Sequence, residues 1–167
     1  MILVYTGNGK GKTSASVGQA VRALGQGLRV AFLQYMKRAG AGGEQKVLGD
    51  LLGEGFHAGG LGFLRDARDF PRHREAALKV TAMARERIPS LDMLILDEAL
   101  YALDAGLLAE DELRALIALC EERGAHLVLS GRNAPPWLRE AAHLVSEITE
   151  VKHPYTQNIQ AQRGVEF

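Results

Sequence analysis

Cysteine is almost absent from this chain. Cys120 is the single one in 167 residues, so no internal disulfide can form and a reducing cytosol is the expected home. Net charge is absent too. Twenty Lys and Arg against 20 Asp and Glu exclude the bulk electrostatics that would hold a nucleic acid or an anionic membrane surface. No apolar run approaches the roughly 20 residues of a membrane span. Residues 1–6 are apolar, but a glycine–lysine loop follows at once, and so short a run does not make a secretory leader. Internal repeats and low-complexity tracts are lacking. What is left is an ordinary globular balance, 47% apolar and 24% charged, which suits one domain with its own core over residues 1–167.

Short apolar runs alternate with helical periodicities. Ile2 to Thr6 stops at glycine and reads as a buried strand. Val17, Ala20, Val21 and Leu24 recur on one face of a helix that starts at Lys12 and ends at Gly25 and Gly27. Arg29 to Tyr35 is a second strand, residues 38–43 a glycine-rich loop, and Glu44 to Leu52 a short helix. Gly53 to Gly62 gives only a short strand among loops. Pro71 opens a helix to about Arg87, with Ala76, Val80, Met83 and Ala84 on one face. Met93 to Leu96 has the continuous apolar character of a central parallel strand. Then come a helix from Glu110 to Arg123, with Leu113, Leu116, Ile117 and Cys120 inward, and a strand from His126 to Ser130. A short helix from Pro135 to Ala142 and a last strand from Leu144 to Val151 complete the pattern. Such alternation predicts an α/β fold, a mostly parallel sheet with helices on both faces. In it the Gly7 loop, Asp97-Glu98 and Gly131-Arg132 all follow strands and should meet on one edge.

The loop after the first strand reads Thr6-Gly7-Asn8-Gly9-Lys10-Gly11-Lys12-Thr13-Ser14. Strand, glycine-rich turn, Lys-Thr and helix are the context of a triphosphate-binding loop. Its glycines let backbone amides approach phosphate, the helix start offers unpaired N–H groups, Lys12 neutralises charge and the Thr13 hydroxyl suits a metal. In the spacing G-x-x-x-x-G-K-[ST], Thr6 stands where the first glycine would be, and Gly7 is the nearest. Asp97 and Glu98, ending an apolar strand, suit a hard divalent cation beside the phosphates, which puts Thr13, Asp97 and Glu98 at a metal. ATP with Mg2+ or Mn2+ is therefore the expected ligand.

The segments TGNGKGKTSA (6–15), LQYMK (33–37), GGE (42–44), GLGF (60–63), LILDEALYALDAGLL (94–108), LSGRNAP (129–135) and VKHPYTQNIQAQRGVEF (151–167) together resemble the ATP:corrinoid adenosyltransferases. The resemblance runs in order along essentially the whole chain, and the GNGKGKT form of the loop is characteristic of that family. It implies a P-loop NTPase-like, RecA-like fold. The implied reaction transfers the 5′-deoxyadenosyl group of ATP to the cobalt of cob(I)alamin or cob(I)yrinic acid a,c-diamide, with tripolyphosphate leaving. The triphosphate would lie reversed from its sense in kinases, so that C5′ faces the acceptor. Lys12, Glu98 and Arg132 would be catalytic, and Arg22 and Arg132 match arginines of the family's ATP site. Phe63 matches a phenylalanine that helps to strip the lower axial ligand of cobalt, while Arg65 stands where a tryptophan is usual; both are the expected corrinoid contacts. Thr156 and Asn158 replace an aspartate and a glycine of the tail motif.

The resemblance also implies a cytoplasmic homodimer and an electron donor such as a reduced flavoprotein. The first strand begins at once, without the amino-terminal extension that closes the site in some members; a partner subunit or a looser lid would then do so. His57 is expected on an exposed loop, His153 at the surface, Trp137 in packing and Cys120 in the core. His73, His126 and His143 have no metal-ligand spacing. Two other readings stay open. A different small P-loop ATPase or kinase would release ADP, and a non-catalytic, ATP-gated corrinoid-binding protein would form no cobalt–carbon bond.

Overall fold

A computed structural model describes residues 1–165. The chain runs β1 (Ile2–Thr6), α1 (Lys12–Gly25), β2 (Val30–Gln34), α2 (Gly43–Leu52), β3 (Phe56–Ala58), α3 (Phe70–Arg87), β4 (Met93–Asp97), α4 (Ala99–Asp104), α5 (Glu110–Arg123), β5 (His126–Ser130), α6 (Pro136–Ala141) and β6 (Leu144–Glu147). The six strands form one sheet in the order β3-β2-β4-β5-β1-β6. Every pairing is parallel, from Ile2 opposite Leu127 to Val30 opposite Met93.

Parallel strands need crossover helices, and these cover both faces. Alternate strand residues divide accordingly. Val30, Phe32, Met93, Ile95 and Val128 pack with Ala20 and Ala23 of α1 and Leu48 of α2. Leu33, Leu94, Leu96, Leu127 and Leu129 pack with α3, α5 and α6 through Val80, Leu116 and Leu138. The strand β4 is therefore buried at all five positions. Each of its leucines contributes roughly 1.5–3 kcal/mol by leaving water. Gly124, in the left-handed conformation with φ 70°, stops α5 as foreseen.

Several local expectations need correction. Helix α1 rests on the sheet through Ser16, Ala20 and Ala23, whose small side chains allow close approach, and Val21 is left 50% exposed. On α3 the buried line is Ala77, Val80, Thr81 and Ala84; Ala76 and Met83 are only partly covered. His57 is not on an exposed loop but half-buried in the edge strand β3, opposite Leu33. Helix α4 was not foreseen, because six residues are too few to display a period. The last strand ends at Glu147 rather than Val151. Beyond it the chain turns across the Gly7 loop, where Ile148 N donates to Thr6 O and Ile148 O accepts from Gly9 N, both at 2.8 Å. The tail motif's Glu166 and Phe167 lie outside the described residues.

Candidate active site

Chain order and sheet order differ most at β1. From it the chain crosses under two strands to reach β2, so β5 separates β1 from β4. Ligands bind at the carboxyl edge of such a crossover. The loop of residues 6–13 occupies that edge. Gly7 and Gly11 have φ of 103° and 122°, a region only glycine enters freely. A Cβ on Gly7 or Gly9 would also meet the Ile148 carbonyl oxygen, at 2.4 and 2.8 Å. Close approach and backbone sign thus both demand glycine, and the segment after β6 acts as the loop's outer wall.

Lys12 is buried, and its ammonium donates to Gly9 O at 2.7 Å. Burial pulls its pKa down; Glu98 opposes this, Arg132 adds to it, and Asp97 and Glu150 oppose it. The fall follows from the cost of desolvating a charge. Thr13, one residue on, donates its hydroxyl to Asp97 at 3.0 Å.

Asp97 is fully buried at the end of β4. Its carboxylate accepts from Thr13, from Gln34 Nε2 at 3.0 Å and from Ser130 Oγ at 2.6 Å. Ser130 ends β5, the strand inserted between loop and acid, and its oxygen also accepts from Glu98 N at 3.0 Å. Glu98 itself has φ 58° and ψ 20°, a left-handed conformation that costs a non-glycine residue of order 1–3 kcal/mol. That turn opens α4 directly behind the strand. Desolvation raises the Glu98 pKa, the Asp97 charge raises it further, and Lys12, Lys37 and Arg132 act against both.

The Asp97 oxygens are thus committed to three donors, while among the described residues no donor is hydrogen-bonded to the Glu98 carboxylate. A hydroxyl and a carboxylate are hard oxygen donors of the kind Mg2+ takes, with phosphate and water oxygens completing its shell. Among the described residues no three His, Cys, Asp or Glu could hold a metal without such help. The residues present therefore fit a divalent ion carried with a triphosphate.

A cleft of about 490 Å³ opens here, lined by Lys10, Lys12, Thr13 and Glu98 among the foreseen residues. Lys37 and Glu44, which have no assigned role in the sequence reading, line the same cleft and pair at 2.7 Å. Both lie in quoted motifs, LQYMK and GGE, yet nothing local marks them as neighbours of Thr13. Ser14 also lines the cleft. Arg132 is exposed, but its charge reaches Lys12 and Glu98. Arg22 is exposed on α1, away from the cleft lining, and its charge acts on the Tyr5 hydroxyl. Phe63 is 59% exposed, and its ring meets Tyr101 of α4 edge-on at 5.1 Å. Arg65 is exposed nearby in sequence.

Of the remaining candidates, Cys120 is core, its thiol pushed up to about 12 by burial. Trp137 packs against the main core and carries Arg114 over its ring at 3.7 Å. His153 Nδ1 accepts from Tyr155 N in a local turn. No helix among the described residues is long and apolar enough to cross a membrane.

The family profile described as "ATP:corrinoid adenosyltransferase BtuR/CobO/CobP" matches residues 1–167. A corrinoid adenosyltransferase of Pseudomonas aeruginosa is 39% identical over 173 residues, covering 100% of this chain and 83% of that protein. Another, from Sinorhizobium sp, is 36% identical over 171 residues, covering 100% and 80%. Among solved structures, the flagellar accessory protein FlaH of Methanocaldococcus jannaschii superimposes with a TM-score of 0.54 at 12% identity, covering 87% of this chain and 69% of that one, a likeness of fold alone. The fold is the P-loop NTPase-like, RecA-like class expected from the sequence. With the profile matched from first residue to last, the chain belongs to the ATP:corrinoid adenosyltransferase family.

Proposed function

We propose that this protein, acting as one domain over residues 1–167, transfers the 5′-deoxyadenosyl group of ATP to the cobalt of a reduced corrinoid and releases tripolyphosphate. The observation that carries the proposal is the convergence of Lys12, Thr13, Asp97 and Glu98 at one sheet edge in a chain of this family. Thr6, Gly7, Asn8, Gly9, Lys10, Gly11, Lys12, Thr13 and Ser14 bind the triphosphate, with two ammonium groups and the loop amides other than that of Gly9, which donates to Ile148 O, facing its charge. Arg132 supplies a further positive charge from just beyond β5, and Arg22, on α1 outside the cleft lining, a more distant one. Thr13 and Glu98 hold Mg2+, and Asp97 orients the Thr13 hydroxyl. When bound, the ion supplies charge neutralisation to the phosphate oxygens.

The cobalt brings its own nucleophilic electron pair, so the protein needs no serine, cysteine or activated water. That pair becomes the Co–C5′ bond, and the C5′–O pair departs on tripolyphosphate. The residues' task is to hold C5′ in line with the acceptor and to stabilise the leaving oxygens. Phe63, with its exposed ring against Tyr101, and Arg65 face the corrinoid. The protein works in the cytoplasm as a homodimer, fed by an electron donor such as a reduced flavoprotein. The test is to mix it with Mg-ATP and chemically reduced cob(I)alamin. Alkyl-cobalt absorption should appear with wild type and fail with Lys12→Ala; nucleotide binding without that species would refute the transferase reading.

A further inference from the structure

The Lys37 ammonium stands among more acceptors than its own charge needs. It lies 2.7 Å from Glu44 Oε1 and 3.8 Å from Asp97 Oδ2, and it donates to Thr13 Oγ1 across 3.4 Å. Its charge also acts on Glu98. The side chain is 28% exposed and lines the same cleft as Lys12. Lys10, Lys12 and Lys37 therefore share one cleft with Glu44 and Glu98, and Asp97 lies buried beside it, 3.8 Å from the Lys37 ammonium. Asp97 is tied to Gln34, Ser130 and Thr13, so its place is fixed. Glu44 is partly exposed, and besides Lys37 its carboxylate accepts from its own backbone N–H and, at 3.4 Å, from Gln34 Nε2. The Lys37–Glu44 contact is thus the one that can exchange, because an incoming phosphate oxygen takes Glu44's place as the ammonium's partner while Glu44 keeps its other donors.

We propose that Lys37 is a further triphosphate-binding cation beyond Lys10 and Lys12 of the loop, held by Glu44 until Mg-triphosphate enters and then turned onto a phosphate oxygen in the cleft they share. The inference rests on the reading above. A lysine ammonium is a compact point charge on a long stem and binds phosphate without a fixed angle, as a rotation between two anions requires. Contact with the Thr13 hydroxyl already places Lys37 beside the group that faces ion and phosphates. Its backbone carbonyl accepts from Gly60 N at 3.1 Å, which joins the same residue to the loop bearing Phe63. Lys37 is a positioning residue for the leaving group.

The test is inorganic tripolyphosphate with Mg2+, titrated calorimetrically into full-length wild type, Lys37→Met, Glu44→Gln and the double variant, with a thermal melt of each. Methionine keeps the alkyl stem in place. Lys37→Met should weaken binding on the order of tenfold or more, as for a charge-assisted hydrogen bond. Glu44→Gln should tighten it by removing the competing anion, and the double variant should remain as weak as Lys37→Met. If Lys37 merely neutralises Glu44, the double variant recovers wild-type binding, which overturns the proposal. Equal affinity of wild type and Lys37→Met overturns it as well. Wild type that binds no tripolyphosphate overturns the functional reading and this inference together, a different outcome from the other two.

Discussion

The Thr13 hydroxyl donates to the Asp97 carboxylate at 3.0 Å across 84 residues of sequence, joining the start of α1 to the end of β4. The same carboxylate accepts from Gln34 and Ser130, so one buried acid ties together the ends of β2, β4 and β5 and the phosphate loop. Asp97→Ala should therefore cost stability as well as activity. Three buried or half-buried donors lose their acceptor, at about 1–3 kcal/mol for each left unsatisfied. A loss on the order of 3 kcal/mol in denaturant unfolding is expected. A loss below about 0.5 kcal/mol would mean that the network does not hold the edge together.

Glu98 should show the reverse sign. Its backbone is left-handed and its carboxylate is desolvated beside Asp97. Glu98→Gly relieves both and should raise stability by roughly 1 kcal/mol while abolishing adenosyl transfer. A variant less stable than wild type would show that the side chain, not its strain, dominates.

The raised Glu98 pKa gives a pH dependence with a definite direction. The folded state binds this proton more tightly than the unfolded state, so stability from Glu98 is complete below its ordinary value of 4.5 and is lost as pH rises through the folded value. Glu98→Gln should therefore gain stability over wild type as pH rises through that window, and the gain should shrink below it. Binding of Mg2+ with nucleotide should rise over the same window, because the ligand must be deprotonated. Melting temperatures of both proteins across the range test the first statement, and Mg2+ titrations test the second. A difference between the two proteins that does not change with pH would contradict the assignment.

The sheet was readable because four of its strands, β1, β2, β4 and β5, are short apolar runs, and the loop was readable because glycine, lysine and threonine fall at fixed offsets. Strand order was not. Nothing local to Ser130 says that β5 lies between β1 and β4, yet that order makes Ser130 a bridge between Asp97 and Glu98. Lys37 and Glu44 escaped for the same reason: their meaning comes from Thr13, which only the crossover brings near. Val21 misled because a helix period gives a stripe but not how closely the helix sits, and alanines pulled α1 onto its 16–20–23 line.

Gly9 is required by contact more than by conformation. A Cβ there would lie 2.8 Å from the backbone oxygens of Ile148 and Thr149, which cannot rotate away. Gly9→Ala should push the segment after β6 off the loop and weaken ATP binding by at least tenfold in calorimetry, with a smaller effect from Gly18→Ala, where a Cβ meets open space. Equal effects from the two would contradict the wall.

Phe63 is exposed, so Phe63→Ala should change stability by less than about 0.5 kcal/mol. If the ring helps to strip the lower axial ligand of cobalt, as the family resemblance implies, the substitution should slow adenosylation from Co(II) more than from pre-reduced Co(I). Equal slowing in a side-by-side rate measurement would remove the ring from that step.

The most direct test is the fate of the phosphates. Phosphorus NMR of a reaction with Mg-ATP and cob(I)alamin should show tripolyphosphate formed in step with the cobalt–carbon bond. The appearance of ADP with free phosphate instead would place the broken bond at the γ-phosphorus and contradict the account.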